Sequence, residues 1–67
     1  MPVTGFSFDN GYRFGHVRVV EEDGEYKVIL TKYVRPHCVK TETLEGTYKT
    51  KSAALSAAER IARAYQR

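Results

Sequence analysis

Hydrophobic and polar positions alternate along the middle of this chain and change period near its end. Over residues 13–20, Val17 and Val19 fall on one side and His16 and Arg18 on the other, the two-residue repeat of a half-buried strand. Residues 26–33 repeat it, with Tyr26, Val28 and Leu30 against Lys27, Ile29, Thr31 and Tyr33. Apolar side chains stand on both faces of this second run, which predicts the central strand of a three-stranded sheet. Between the runs, Glu21-Glu22-Asp23-Gly24-Glu25 predicts a hairpin loop, in which Asp23-Gly24 supplies the left-handed backbone that such turns need. Residues 34–40 predict a loop around Arg35-Pro36, because Pro36 cannot donate to a ladder. A third strand is expected from about Lys40 to Lys49. It would turn Leu44, Gly46 and Tyr48 toward the core and Thr43, Glu45, Thr47 and Lys49 outward.

Past Tyr48 the period becomes helical. Thr50 suits an N-cap, since its hydroxyl accepts from the free amides of a first turn. Ala53 stands where a capping box would place a carboxylate, so the reciprocal half of that motif is missing. Ala54, Leu55, Ala58, Ile61, Ala62 and Tyr65 form one apolar stripe, and its alanines allow close approach to a sheet. Ser56, Glu59, Arg60, Arg63 and Arg67 lie away from it. Residues 1–12 have glycines, a proline and the turn signal Asn10-Gly11 but no period, and are expected to form an irregular arm. Phe6 and Phe8, two apart, would point the same way and pack over an open end of the core. The expected fold is α+β: a single domain over residues 13–67, with an antiparallel three-stranded sheet and one C-terminal helix packed on one face (β-β-β-α).

Size and composition narrow the function classes. A chain of 67 residues holds one domain, near the lower limit for folding on a hydrophobic core alone. Its single cysteine, Cys38, excludes an internal disulfide and reads as a small, partly buried apolar residue. With no signal-peptide pattern, this points to the cytoplasm. No apolar run approaches the length that crosses a bilayer. His37 and Cys38 are adjacent and His16 is remote, which is not the converging spacing of a metal site. No nucleophile, base and orienting group are grouped for catalysis. The expectation is a non-enzymatic chain with no metal and no cofactor.

Charge is unevenly spread. Up to Glu25, Arg13 and Arg18 face Asp9, Glu21, Glu22, Asp23 and Glu25; from Tyr26 onward nine Lys or Arg face only Glu42, Glu45 and Glu59. If the helix covers Val17, Val19, Tyr26, Val28, Leu30, Leu44 and Tyr48, the opposite sheet face has no second layer. That open face would present His16, Arg18, Lys27, Ile29, Thr31, Tyr33, Thr43, Glu45, Thr47 and Lys49. Cations there can contact phosphate, and Thr and Arg can read base edges. Lys49 and Lys51 flank the helix start, where free amides and the helix dipole favour an anion.

Tyr26-Lys27-Val28-Ile29-Leu30, a basic loop, then Gly46-Thr47-Tyr48-Lys49-Thr50-Lys51-Ser52-Ala53-Ala54 and an Ala-rich helix together resemble the arm-binding domain of tyrosine recombinases, the phage and transposon integrases. That domain shares its β-β-β-α form with plant AP2-type domains. The Thr-Lys-x-x-Ala helix start is similar, too, to that of small bacterial β-β-β-α proteins of no assigned activity and to the last helix of double-stranded RNA-binding domains. The recombinase resemblance implies that the free sheet face lies in the major groove of double-stranded DNA. Arg18, Lys27, Ile29, Thr31 and Tyr33 would then face the groove, and Lys49 and Lys51 would contact phosphates. In that family the domain is normally followed by a core-binding and a catalytic domain, a pattern from which these 67 residues depart, so the expectation is a free-standing module such as a prophage or mobile-element accessory protein. The alternative is a protein-interaction or homo-oligomeric module, in which Ile29, Tyr33, Phe6 and Phe8 pack on a partner or an edge strand pairs with another chain. RNA ranks below DNA, because double-stranded RNA-binding domains open with a helix that residues 1–12 cannot form.

Overall fold

A computed structural model describes residues 5–66 of the chain. Four strands and a helix follow one another: β1 Gly5–Asp9, β2 Arg13–Glu22, β3 Glu25–Val34, β4 Val39–Tyr48 and α1 Lys51–Gln66. The strands form one antiparallel sheet in the order β1-β2-β3-β4, with the helix on one face. The α+β class with a single C-terminal helix therefore holds, but the sheet has four strands rather than three. The extra one lies in the segment expected to be irregular; residues 1–4 of that segment fall outside the described residues.

What makes β1 a strand is not local. Phe8 pairs with Gly15, is 4% exposed, and stacks on Tyr65 of the helix with ring centroids 5.2 Å apart. At its end, the Asp9 N–H donates to Gln66 Oε1 at 3.1 Å, and Gln66 Nε2 donates back to the Asp9 carbonyl at 2.9 Å. The last turn of the helix thus ties down the first strand. Asn10 Oδ1 accepts from the amides of Tyr12 and Arg13 at 3.0 and 2.7 Å, closing the turn into β2.

The β2–β3 hairpin follows its sequence signal. Asp23 and Gly24 both take positive φ, 53° and 76°, the paired left-handed conformation of a two-residue hairpin turn. Val17, Val19, Val28 and Leu30 from this hairpin form the core with Phe8 and with Ala54, Ala57, Ala58 and Ala62 of the helix. Ala57, at 7% exposure, adds to the stripe read from the sequence; Leu55, Ile61 and Tyr65 flank it, partly buried. Thr50 caps the helix, accepting the Ala53 N–H on its hydroxyl at 3.2 Å.

The β4 register differs from expectation. Val28 pairs with Gly46 but Ile29 pairs with Leu44, so Glu45 is an extra residue in a β-bulge. A one-residue slip exchanges faces. Leu44 therefore sits outside the core, 57% exposed, and Thr43 lies opposite Leu30 on the helix side. Cys38, expected to be partly buried, is exposed at the tip of the β3–β4 hairpin.

Candidate interaction surface on the open sheet face

The pairing register sets which side chains share the uncovered face. Four rows cross β2, β3 and β4: Phe14, Tyr33 and Lys40; His16, Thr31 and Glu42; Arg18, Ile29 and Leu44; Val20, Lys27 and Thr47. Of the residues expected to read DNA, Arg18, Lys27, Ile29, Thr31 and Tyr33 stand together here. Lys49 and Lys51 do not join them. They flank Thr50 at the helix start, exposed, and Lys51 borders a hollow with Val19, Glu21 and Tyr26 on the helix side.

The electrostatics of the face come from its pairs. Arg18 Nη2 reaches Glu42 Oε2 at 3.3 Å, and the Thr31 hydroxyl donates to the same oxygen at 3.4 Å. Thr31 is 2% exposed beneath these neighbours, which leaves its hydroxyl no base edge to read. Lys27 donates to Glu22. That hydrogen bond, with the attraction of the two charges, holds the Glu22 carboxyl below the ordinary range and raises the Lys27 ammonium. Glu25 pairs with Glu22 at the hairpin end, so Arg18, Lys27 and Lys40 stand among Glu22, Glu25 and Glu42. These three cations and three carboxylates balance one another.

Its apolar content is larger than the sequence suggested. Leu44 lies directly opposite Ile29, itself opposite Arg18, with Val20 one row away. Phe14 stacks on Tyr33 at 5.1 Å and 14° between ring planes. Arg35 covers the outer side of that stack, its guanidinium carbon 4.3 Å from the Phe14 centroid. Arg35 also donates to Asp9 Oδ1 and to the Gly11 carbonyl, both at 3.1 Å, joining the β3–β4 hairpin to the β1–β2 turn. The Arg35 hydrogen bond, ahead of one from the Gly11 amide, pulls the Asp9 carboxyl below its usual value.

Phe14 and Val20 were findable, since each shares the parity of His16 and Arg18 in β2. Glu22 needed β2 to run two residues past its expected end. Glu42 and Leu44 needed the bulge. Two further cations, Arg13 and Lys32, sit over the Tyr65 ring at 5.0 and 5.4 Å, near the helix C-terminus, where the dipole favours positive charge.

Among the described residues, no group of three His, Cys, Asp or Glu side chains is placed to hold a metal ion, and no helix is long and apolar enough to cross a membrane. No protein-family model matches the chain, and neither a curated protein nor a solved structure does. The recombinase resemblance is therefore carried by the quoted residues alone.

Proposed function

We propose that this chain is a non-catalytic binding module whose contact surface is the open sheet face and whose partner is a protein. One observation carries the reading: exposed Leu44, backed by Ile29 and Val20, lies between Arg18–Glu42 and Lys27–Glu22, cations already matched by carboxylates. An apolar centre with a charge-balanced rim suits a protein interface, where charges are depleted at the core and complementary at the edge. A phosphate backbone calls for unmatched cations. Exposed pairs of this kind are weak, so a phosphate could displace them. The displaced Glu22 and Glu42 would then remain beside it and repel it.

Double-stranded DNA is the second reading, favoured by one observation: Lys40, Lys49 and Lys51 are exposed and form no ion pair among the described residues. They could hold a backbone while the face lies in a groove.

Ile29→Lys separates the readings because its effect has opposite sign. It places a cation at the apolar centre, abolishing capture of a protein partner by the immobilised chain, but leaves duplex affinity unchanged or raises it. Titration of isotope-labelled protein with a short random duplex, at low and then physiological salt, completes the test. Shifts at Arg18, Lys27 and Tyr33 that fade with salt would overturn the protein reading in favour of DNA.

A further inference from the structure

The two edges of the sheet are treated differently. β1 is five residues long, and the helix end bonds both the amide and the carbonyl of Asp9. β4 is ten residues long, and each residue over 39–45 is exposed. The helix lies chiefly over β1 and β2 and barely reaches β4. Val39 and Leu44, 60% and 57% exposed, stand on opposite faces of this one strand. Beyond its ladder with β3, no backbone group of β4 has a hydrogen-bond partner among the described residues. Such an edge is a template for another strand.

We propose that the strand it accepts is β4 of a second copy, running antiparallel about a two-fold axis at Thr41, so that two sheets join into one of twice the width. The occupant follows from the side chains of the regular stretch 39–44, ahead of the bulge at Glu45. With the axis at Thr41, Lys40 of each copy stands opposite Glu42 of the other, on the same face. Thr41 meets Thr41, and Val39 meets Thr43. Opposite charges and paired threonines are favourable cross-strand neighbours. Moving the axis to Glu42 sets that carboxylate against its own copy and Lys40 against Leu44, which is unfavourable. The edge charges, a common defence against strand addition, are thus complementary to themselves in one register. A two-fold axis makes each such contact twice. The bulge limits the paired stretch and so the strength of the contact.

This association uses the backbone edge of β4 and does not rest on the open-face reading. Sedimentation equilibrium of the full chain, from about 20 μM to about 1 mM, is expected to show monomer passing to dimer with a dissociation constant on the order of 100 μM, as suits a small interface. Lys40→Glu places like charges at both pairs and weakens dimerisation about tenfold or more. Adding Glu42→Lys to Lys40→Glu restores it. In a Cys38→Ser background, Thr41→Cys forms a cross-chain disulfide in air and Thr43→Cys does not. Ile29→Lys leaves the dimer intact, so loss of protein capture by that variant is read separately. A chain that stays monomeric at the highest concentration overturns the inference. So does a dimer indifferent to Lys40→Glu and to the site of the cysteine.

Discussion

Replacing Gly15 by alanine tests the packing of β2 against β3 most directly. A Cβ built at Gly15 collides with the Thr31 carbonyl oxygen and comes within 3.0 Å of the Thr31 carbonyl carbon and 3.1 Å of Lys32 Cα. All three atoms are backbone of β3, so no side-chain rotation relieves the contact. Overpacking against movable side chains costs about 1–3 kcal/mol. A clash with paired backbone should lie at or above the top of that range, about 3 kcal/mol or more. Domains of this size are stable by roughly 3–5 kcal/mol, so Gly15→Ala should leave much of the chain unfolded at 25 °C. Two other glycines calibrate the scale. At Gly46 the added carbon meets the Tyr48 ring at 3.1–3.3 Å, and because that half-exposed ring can swing, the cost should stay below about 1 kcal/mol. At Gly24 nothing lies within 4 Å, but φ of +76° imposes about 1–2 kcal/mol of left-handed strain on alanine. Urea denaturation followed by far-ultraviolet circular dichroism ranks the three. If Gly15→Ala costs no more than Gly46→Ala, the close approach of β2 to Thr31 described here is wrong.

Two further outcomes rest on single hydrogen bonds. Thr50→Ala removes the acceptor for the Ala53 amide and should lower stability by about 1 kcal/mol, read from the same urea transition, with Thr50→Ser close to wild type. The depressed carboxyls of Asp9 and Glu22 bind protons more readily in the unfolded chain, so their stabilisation is complete above the ordinary carboxylate range, about pH 4, and is lost as pH falls through their lowered folded values. The melting temperature should hold from about pH 5 to pH 8 and drop below about pH 4, and Asp9→Asn should flatten that acid limb; an unchanged limb would remove the Arg35 pair from the account. Lys27 has the opposite sign, its contribution vanishing only as pH rises past about 10.

The parts of this fold that could be read from the sequence are those whose causes are local. Asp23-Gly24 requires nothing beyond its own backbone to form a hairpin turn, and Thr50 caps whatever helix follows it. The period-two pattern of β2 and β3 survives because Val17, Val19, Val28 and Leu30 leave only one face for the core. Residues 5–9 carry no such signal. They become β1 because Phe8 finds Tyr65, and Asp9 finds Gln66, almost the full chain length away. β4 is ambiguous for a different reason. Thr41, Thr43 and Thr47 suit either face, so alternation within the strand does not choose a register, and the bulge at Glu45 then decides where Leu44 goes.

That ambiguity reaches directly into the functional reading. Arg18, Lys27, Ile29, Thr31 and Tyr33 shared a face in the sequence pattern and share it in the structure, yet the character of the face depends on residues they do not determine. Alternation along the strands, read alone, sets Arg18, Lys27 and Lys49 on one face against only Glu45. Pairing in three dimensions sets Glu42 beside Arg18, through the slipped register of β4, and Glu22 beside Lys27, through the longer β2. The same slip brings Leu44 onto the face opposite Ile29. One bulged residue thus adds both a carboxylate and an exposed leucine to the surface, and each moves it away from phosphate and toward a protein partner. The residue to delete is therefore Glu45. Its removal closes the ladder with Gly46 still opposite Val28 and Leu44 still opposite Ile29, so Leu44 and the Arg18–Glu42 pair should stay on the open face and the variant should fold with its protein capture intact; a variant in which Leu44 becomes buried under the helix would refute the register.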